Sequence, residues 1–210
     1  RAGMETDFIM PGFDDRIFRA ADADAKRRLR AKYDLPSDRF ILLHVGHIRE
    51  SRNLEVFLRY RDWGGDIQPV IKAGEVDPSW AHRLRMAGVI VIDEYIEPVH
   101  EIYQAADCYL FPVGNPMGAV EFPLSVIEAC ACNLPVVATR FGILPEMLGE
   151  GAGLRYYDHV SQIADRIASI RLEPSATASK VGDFTWHAVF RRYLMPHVSA
   201  LARERGAEVP

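Results

Sequence analysis

The sequence predicts an α/β fold with a Rossmann-like, doubly wound parallel sheet that carries helices on both faces. Short apolar runs alternate with amphipathic stretches at least five times along the chain. The run Val136-Val137-Ala138 is apolar throughout, which is typical of a parallel strand buried on both faces. With 210 residues and 49% hydrophobic content, the chain can bury one sizeable core or at most two small ones.

The first half of the chain predicts alternating helices and strands, beginning with a charged, Ala-rich helix over 21–35. A buried strand is expected over 40–45, with Gly46 directly after it. The remaining elements of this half are expected in the order helix 53–60, strand 67–73, helix 78–87, strand 89–96 and helix 99–106. His44, inside the first strand, is interpreted as a hydrogen-bonded core histidine.

The second half continues the alternation. Its expected elements are strand 108–113, loop 114–120, a helix that begins after Pro123 and ends at Asn133, strand 136–138, a short helix to Leu148, strand 154–157 and helix 159–170. The Ser/Thr/Ala-rich stretch 174–180 is interpreted as a linker. A long helix over 184–206 should be kinked or broken by Pro196, and the tail 206–210 should be frayed.

The charge of the chain argues against two classes of partner. A net charge of −4 and a pI of about 6.0 give no reason to expect nucleic acid or an anionic membrane. No apolar run approaches the ~18 residues of a membrane span, and the N-terminus lacks a signal-peptide layout. We therefore expect a cytoplasmic chain whose peripheral contact with a membrane could come only through a part outside this sequence.

The cysteines and histidines give no metal-binding pattern. Cys108, Cys130 and Cys132 stand in apolar settings, and the Cys130-x-Cys132 pair lacks the usual zinc spacing and a second ligand pair. Small buried thiols of a reducing compartment are favoured over a disulfide or a metal site. The histidines are scattered, with no carboxylate or cysteine at ligand spacing. We expect no metal and no other cofactor.

One carboxylate stands out in the stretch 118–145. Between Glu121 and Arg140, Glu128 is the only charged residue, and it falls in a short helix that the apolar composition predicts to be buried on all sides. A buried carboxylate is costly unless hydrogen-bond donors satisfy it. Those donors are either groups inside the fold or hydroxyls of a ligand, and the spacing alone leaves both readings open.

A second candidate site follows the first strand, where doubly wound folds place ligand phosphates at the turn into a helix. This turn contains Gly46, His47, Arg49 and Arg52. It lacks the G-x-G-x-x-G pattern, so the dinucleotide-binding module of an oxidoreductase is not supported.

The segment EFPLSVIEACACNLPVVATRFGILPE resembles the signature of family-4 retaining glycosyltransferases of the GT-B fold, E-x-F-G-L-x-x-x-E-A-M-A-x-G-x-P-V-V-A-T followed by P-E. The matching positions are Phe122, Glu128, Ala129, Ala131, Pro135, Val136, Val137, Ala138, Thr139, Gly142, Pro145 and Glu146. The resemblance implies the C-terminal, donor-binding half of a GT-B enzyme that transfers a sugar from a nucleotide-sugar, with Glu128 holding the ribose hydroxyls.

Three positions depart from that signature. The first glutamate of the family pair falls on Val120, and Glu121, one place along, is the candidate for the catalytic contact to the transferred sugar. Pro123 and Asn133 stand where the family has Gly. Loop 114–120 is the expected seat of specificity for the sugar.

The turn after the first strand is similar to the family's V-G-R-x-x-x-x-K-G, whose Arg and Lys neutralise the donor diphosphate. Arg52 stands at the Lys position, and His47 and Asn53 replace the Arg and the Gly. The resemblance implies donor binding by Gly46, His47, Arg52 and the N–H groups near Leu124 and Ser125, and reading of the base by the backbone at Tyr95 and Ile96. A base read in this way cannot be named from sequence.

The segment IMPGFDDRIF resembles the family's passage between its two domains. We expect an interdomain crossing over 1–19, a nucleotide-sugar-binding domain over 20–180 and a C-terminal helix over 181–210, with an N-terminal acceptor domain missing. The fragment alone is expected to transfer nothing. Two alternatives stay open: a non-catalytic GT-B-like nucleotide-binding module, and an epimerase-type GT-B protein that uses a nucleotide-sugar without an acceptor.

Overall fold

A computed structural model describes residues 9–204, which form an α/β fold around one six-stranded sheet. The strands are β1 (Phe40–Ile48), β2 (Ile67–Val76), β3 (Ile90–Ile92), β4 (Cys108–Phe111), β5 (Val136–Thr139) and β6 (Leu154–Tyr157). Every neighbouring pair is parallel, and the order across the sheet is β3-β2-β1-β4-β5-β6. The predicted doubly wound parallel sheet is confirmed.

The α-helices connect these strands and cover both faces of the sheet. They are α1 (Ala23–Lys32), α2 (Pro78–Met86), α3 (His100–Ala105), α4 (Leu124–Ala131), α5 (Leu144–Met147), α6 (Ile163–Arg171), α7 (Trp186–Val189) and α8 (Met195–Glu204). Alternate residues of each strand point to opposite faces. In β1, Ile41 and Leu43 therefore join one core cluster, with α3 and α4, while Leu42 joins the other.

The strand order reverses between β1 and β4. The chain leaves β1 for β2 and β3 on one side, and passes from β4 to β5 and β6 on the other. In open α/β sheets, ligands bind in the crevice at the carboxyl ends of the strands at this reversal. The topology therefore directs attention to the residues that follow β1 and β4.

Several predicted elements differ from the structure. Strands β1 and β2 run on to Ile48 and Val76, past the predicted ends at 45 and 73. The helix expected over 53–60 is a 3-10 helix, Leu54–Trp63, whose apolar residues Leu54, Phe57 and Tyr60 recur every third position and are buried. Three residues per turn places that spacing on one face. The strand expected over 89–96 is confined to Ile90–Ile92, because β3 lies at the sheet edge and the next residues, Asp93 and Glu94, are exposed.

The stretch 174–180, predicted as a linker, is packed against the domain. Residues Thr177–Lys180 form a 3-10 turn, and the buried Thr177 hydroxyl donates to the Leu134 carbonyl at 3.0 Å. Its polar composition concealed this packing, because the hydroxyl is satisfied by a backbone acceptor inside the fold.

The C-terminal helix changes from α to π geometry just before Pro196 and does not end there. Helix α7 continues into a π-helical turn, Phe190–Leu194, and then into α8, whose second residue is Pro196. A proline ring collides with the carbonyl four residues before it in a regular α-helix. The wider π turn supplies the room, so the predicted break is a change of helix type; the tail predicted to be frayed lies outside the described residues.

The described part of the expected crossing segment packs into the core. Phe13 pairs with Thr185 in a parallel bridge: the Phe13 N–H donates to the Phe184 carbonyl and the Trp186 N–H donates to the Phe13 carbonyl, both at 2.9 Å. Phe18 packs edge-on against Tyr103 of α3. The boundaries at 19 and 180 stay predictions.

The three cysteines are free and buried. Burial raises the pKa of Cys130 and of Cys132 to about 12, so both stay thiols. The expectation of small buried thiols is confirmed.

Candidate anion-binding site at the switch point

The site begins at the end of β1, where the chain turns over the sheet edge. The pairing of β1 with β2 shifts register between Gly46 and Ile48. Asn53 then adopts the left-handed conformation with φ of 56°, and its side-chain amide donates to the Pro112 carbonyl at 2.9 Å. Asn tolerates this conformation better than other side chains, which explains how it replaces the family's Gly. The bond ties the turn after β1 to the end of β4.

The loop after β4 closes on the same turn. A Cβ built on Gly118 would lie 2.4 Å from the Ser51 carbonyl oxygen, so only glycine allows this approach. The two loops thus form one wall of the crevice.

Arg52 projects into this wall without a partner. Its Nε is buried and has no hydrogen-bond acceptor within the described residues, and no carboxylate there pairs with its charge. Burial and then the charge of Arg49 lower the pKa of Arg52, although the group stays cationic. An unsatisfied buried donor costs about 1–3 kcal/mol, and more for a charged group. The arrangement is suited to an incoming anion.

His47 lies on the β2 side of β1. Its Nδ1 accepts the Glu75 N–H at 3.0 Å, so a neutral ring carries its proton on Nε2. Burial, Arg52 and Arg49, in that order, lower the pKa of His47. His47 is therefore a neutral N–H donor in the unliganded protein and does not replace a positive charge.

Tyr109 of β4 links the residues that the sequence singled out separately. Its hydroxyl donates to the Val45 carbonyl at 3.2 Å, and the Ser125 side chain lies close enough to lower the pKa of Tyr109. Burial raises the pKa of Tyr109, and the charges of Glu128 and Arg52 act on it in opposite directions. This buried tyrosine therefore lies between the end of β1, Arg52 and the first turns of α4.

Glu128 has one internal hydrogen-bond donor. The buried Tyr103 hydroxyl donates to its Oε2 at 2.8 Å. Burial raises the pKa of Glu128, and the bond from Tyr103 opposes that rise. Because the side chain is only half-buried, the internal donor does not close the carboxylate to a ligand. The sequence left open whether the donors to Glu128 lie inside the fold or on a ligand. Tyr103 is a donor inside the fold, and the rest of the carboxylate can still accept from hydroxyls of a ligand.

The prediction that α4 is buried on all sides is wrong. Leu124 is 37% exposed and Ser125 is half-buried, whereas Val126, Ile127, Ala129 and Cys130 are fully buried. The solvent-accessible part of α4 is its first turn. Pro123 at the N-cap provides no side-chain acceptor. The first-turn N–H groups near Leu124 and Ser125 thus have no side-chain cap.

The predicted catalytic carboxylate stands in the turn before α4. Glu121 is exposed, its carbonyl accepts the Ile143 N–H at 3.2 Å, and a Cβ on Gly142 would lie 2.2 Å from that carbonyl oxygen. Val120, at the family's first glutamate position, is 70% exposed. Glu121 is thus held against the turn at 142–143.

The residues expected to read a base follow β3. Tyr95 is 88% exposed, and Ile96 lines a cavity of about 350 Å³ together with Ile92 and Tyr33. Lys72 is buried on β2, beside Ile92 in the sheet, with its ammonium donating to the Ala73 carbonyl at 2.5 Å.

Sequence reasoning missed the buried tyrosines as parts of the site. Tyr103 lies in the stretch VIDEYIEPVHEIYQAADCYLFP, which also resembles the family's sequence with a tyrosine at this position, and this was a signal that could have been followed. Tyr109, inside the apolar run CYLF, gave none.

The fold is a Rossmann-like α/β domain, and this site is its candidate anion-binding crevice. Within residues 9–204, no cluster of three or more His, Cys, Asp or Glu side chains is gathered as for a metal ion. Among the same residues, no helix has the length and apolar character needed to cross a membrane.

The chain belongs to the family described as Glycosyl transferases group 1, whose sequence model matches residues 39–171. It is 28% identical over 198 residues to the D-inositol 3-phosphate glycosyltransferase of Mycolicibacterium smegmatis, an alignment that covers 86% of this chain and 44% of that protein. The chain thus spans about half the length of the relatives it matches.

Solved structures show the same fold. Sucrose-phosphate synthase from Thermosynechococcus elongatus superimposes with a TM-score of 0.72 at 24% identity, over 93% of this chain and 52% of that one. Anabaena Alr3699/HepE, solved in complex with UDP and glucose, gives a TM-score of 0.69 at 14% identity, over 96% of this chain and 56% of that one. Both are GT-B glycosyltransferases, and this chain corresponds in extent to half of each.

Proposed function

We propose that this chain is the donor-binding half of a retaining glycosyltransferase that uses a nucleotide-sugar. The observation that carries the proposal is the half-buried Arg52 at the switch point of the sheet, whose Nε is buried without an acceptor among the described residues and whose charge no carboxylate there pairs with. A cation held there without a carboxylate is matched to the diphosphate of a nucleotide-sugar, since a guanidinium engages two phosphate oxygens at once.

The leaving diphosphate is the group that most needs stabilisation in such a reaction. Charge develops on its oxygens as the bond to the sugar breaks, and fixed donors aimed at that position lower the barrier. Arg52 supplies the charge, and the uncapped N–H groups near Leu124 and Ser125 add the positive end of a helix dipole. Neutral His47 contributes its Nε2–H as a further donor.

The nucleoside is held on the other side of the same crevice. Tyr103 fixes one oxygen of Glu128, and the carboxylate accepts from ribose hydroxyls with its remaining lone pairs. The backbone at Tyr95 and Ile96 meets the base. UDP is the first nucleotide to test, because Anabaena Alr3699/HepE was solved with UDP in this fold.

Sugar transfer needs a second half. The relatives are about twice as long as this chain, and a second domain, such as their greater length allows, would bind the acceptor. On the C-terminal helix, Trp186, Phe190 and Leu194 are exposed at intervals of four residues and offer that domain an apolar surface. No metal or other cofactor is invoked, and Glu121 is the candidate contact to the transferred sugar.

Calorimetric titration of the purified chain with UDP, GDP, ADP and NAD tests the proposal. We expect one nucleoside diphosphate to bind, and to bind at least ten-fold more weakly to Arg52→Ala. Arg59→Ala is the matched control, because Arg59 pairs with Asp62 at 3.0 Å on an exposed surface. Binding of NAD alone, or equal binding by wild type and Arg52→Ala, would contradict the donor-site assignment.

A non-catalytic nucleotide-binding protein is the second candidate, and one observation favours it. The position of the family's first glutamate is occupied by the exposed, apolar Val120. In the longer protein, this candidate predicts that Glu121→Gln leaves function intact, whereas Arg52→Ala still weakens nucleotide binding. An epimerase would instead release free UDP with an epimerised sugar and form no new glycoside.

A further inference from the structure

His44 is a buried polar residue that the proposed donor site has not used. Its ring is fully buried, and Nδ1 lies 3.0 Å from the Leu110 carbonyl oxygen. A carbonyl oxygen only accepts, so Nδ1 carries the proton and Nε2 of the neutral ring is an acceptor. Nε2 has no hydrogen-bond partner within the described residues.

The ring cannot turn to find a partner elsewhere. It is stacked on Tyr109 with centroids 6.1 Å apart and lies against Phe57 and Phe111 at 6.0 and 6.5 Å. A buried acceptor left unpaired opposes folding. A leucine of similar size would avoid that penalty, so stability alone does not account for a histidine at this position.

The neighbour of this acceptor is Arg52. A Cβ built on Gly46 would lie 3.1 Å from His44 Nε2 and 3.2 Å from Arg52 Nη1, so the two groups border the same small space. Arg52 Nε is a buried donor without an acceptor. The structure therefore places an unpaired acceptor beside a guanidinium whose Nε is an unpaired donor. Burial lowers the pKa of His44 to about 4, and the charge of Arg52 acts in the same direction, so the ring stays neutral.

We propose that His44 is a positioning residue for Arg52: when a diphosphate binds, Nε2 of His44 accepts a hydrogen bond from the neighbouring guanidinium and thereby directs the remaining N–H groups toward the phosphates. This inference rests on the proposed function. His44 does not bind the phosphate itself, because Nε2 and the phosphate oxygens are all acceptors. Gly46 leaves the space in which the two side chains meet.

Two substitutions separate positioning from packing. His44→Leu removes the acceptor and fills the apolar site, whereas His44→Gln offers an amide oxygen near the position of Nε2. We expect UDP to bind His44→Leu roughly ten-fold more weakly, as for the loss of a hydrogen bond to a charged group, and His44→Gln to recover most of that loss. Uridine, which lacks the diphosphate, should bind wild type and His44→Leu equally.

A double-mutant cycle with Arg52→Ala completes the test. If His44 acts through Arg52, adding His44→Leu to Arg52→Ala gives no further loss of UDP affinity. In wild type, the ¹⁵N resonance of His44 Nε2 should move on UDP binding and stay unmoved in Arg52→Ala; this readout does not depend on the folding of a His44 variant.

The outcomes distinguish this inference from the proposed function. If Arg52→Ala weakens UDP binding but His44→Leu does not, or if the two losses add, the positioning role is overturned and the donor site stands. Loss of uridine binding together with UDP binding in His44→Leu would make the role structural and would overturn the inference as well. If wild type binds no nucleoside diphosphate, the proposed function fails and this inference fails with it.

Discussion

The Tyr103 hydroxyl donates a hydrogen bond of 2.8 Å to Oε2 of Glu128, joining α3 to α4 beneath the open face of the crevice. The two residues are separated by 25 positions in sequence. The bond fixes a carboxylate that burial would otherwise disfavour in its charged form. The carboxylate that accepts this bond inside the fold is the one proposed to accept from the ribose hydroxyls, so the two interactions are linked.

Tyr103→Phe should therefore weaken both stability and nucleotide binding. Removing the donor leaves a half-buried carboxylate oxygen unsatisfied, which should lower the free energy of unfolding by about 1–2 kcal/mol. The pKa of Glu128 should rise further, because the bond that lowers it is gone. Urea denaturation measures the free energy of unfolding, ¹³C NMR titration of the Glu128 carboxyl carbon measures its pKa, and calorimetric titration with UDP measures nucleotide binding. An unchanged carboxyl titration would contradict the assigned bond.

Glu128→Gln should change the pH dependence of stability. Burial raises the pKa of Glu128 in the folded state above its unfolded value. Its favourable contribution is therefore fully present below the unfolded pKa, and it is lost as the pH rises through the folded pKa. We expect the wild type to lose stability relative to Glu128→Gln over that interval. Urea denaturation of both proteins from pH 4 to pH 7 measures this difference, and a constant difference would argue against the raised pKa.

Gly46→Ala should weaken anion binding with little effect on folding. The new methyl group would lie 3.1 and 3.2 Å from His44 Nε2 and Arg52 Nη1, so one side chain must move by a few tenths of an ångström. Moving Arg52 should cost roughly ten-fold in UDP affinity, about one charge-assisted hydrogen bond. Gly65→Ala is the control, because a Cβ at Gly65 meets nothing within 4 Å. Equal UDP affinity in the two variants would place Arg52 away from the phosphates.

Asn53 should tolerate glycine better than alanine. Its φ of 56° disfavours alanine, and both substitutions remove the bond to the Pro112 carbonyl. We expect Asn53→Ala to lower the free energy of unfolding by about 1 kcal/mol more than Asn53→Gly does. Paired thermal and urea unfolding curves test this ranking. The reverse order would mean that the left-handed turn after β1 is not held in solution.

The sequence predicted the parallel sheet and the turn after its first strand, because in both cases a local sequence pattern matches a requirement of the fold. The strand predicted over 40–45 is followed by a glycine and basic residues, and that pattern predicts an anion-binding turn because strand ends of parallel sheets meet at one edge. In the structure β1 continues through Gly46 to Ile48 before the turn. The structure places Arg52 there. The apolar runs predicted the parallel sheet for a similar reason, since strands covered on both faces have no polar side.

Other features could not be predicted because they depend on which side of an element is covered. Helix α4 is apolar almost throughout, so its composition gave no sign that Leu124 and Ser125 face the crevice. Tyr109 resembles any core aromatic in sequence, and only packing brings its hydroxyl to Ser125 and Val45. Thr177 was assigned to a linker because its backbone acceptors, the Leu134 and Cys130 carbonyls, leave no trace in the sequence.

Glu121 should govern recognition of the sugar and leave recognition of the nucleotide unchanged. The contacts of its backbone are to the turn at 142–143, and its exposed carboxylate has no assigned part in diphosphate or ribose binding. We expect Glu121→Gln to bind UDP as wild type does, and to lose at least three-fold in affinity for the UDP-sugar that wild type prefers. A panel of UDP-sugars measured by calorimetry identifies that sugar first. Val120→Glu is the companion variant, since its 70% exposed side chain should accept a carboxylate at a cost within about 0.5 kcal/mol of stability. Weaker binding of UDP itself by Glu121→Gln would contradict a role confined to the sugar. A changed preference among sugars in Val120→Glu alone would place the sugar contact at position 120 and not at Glu121.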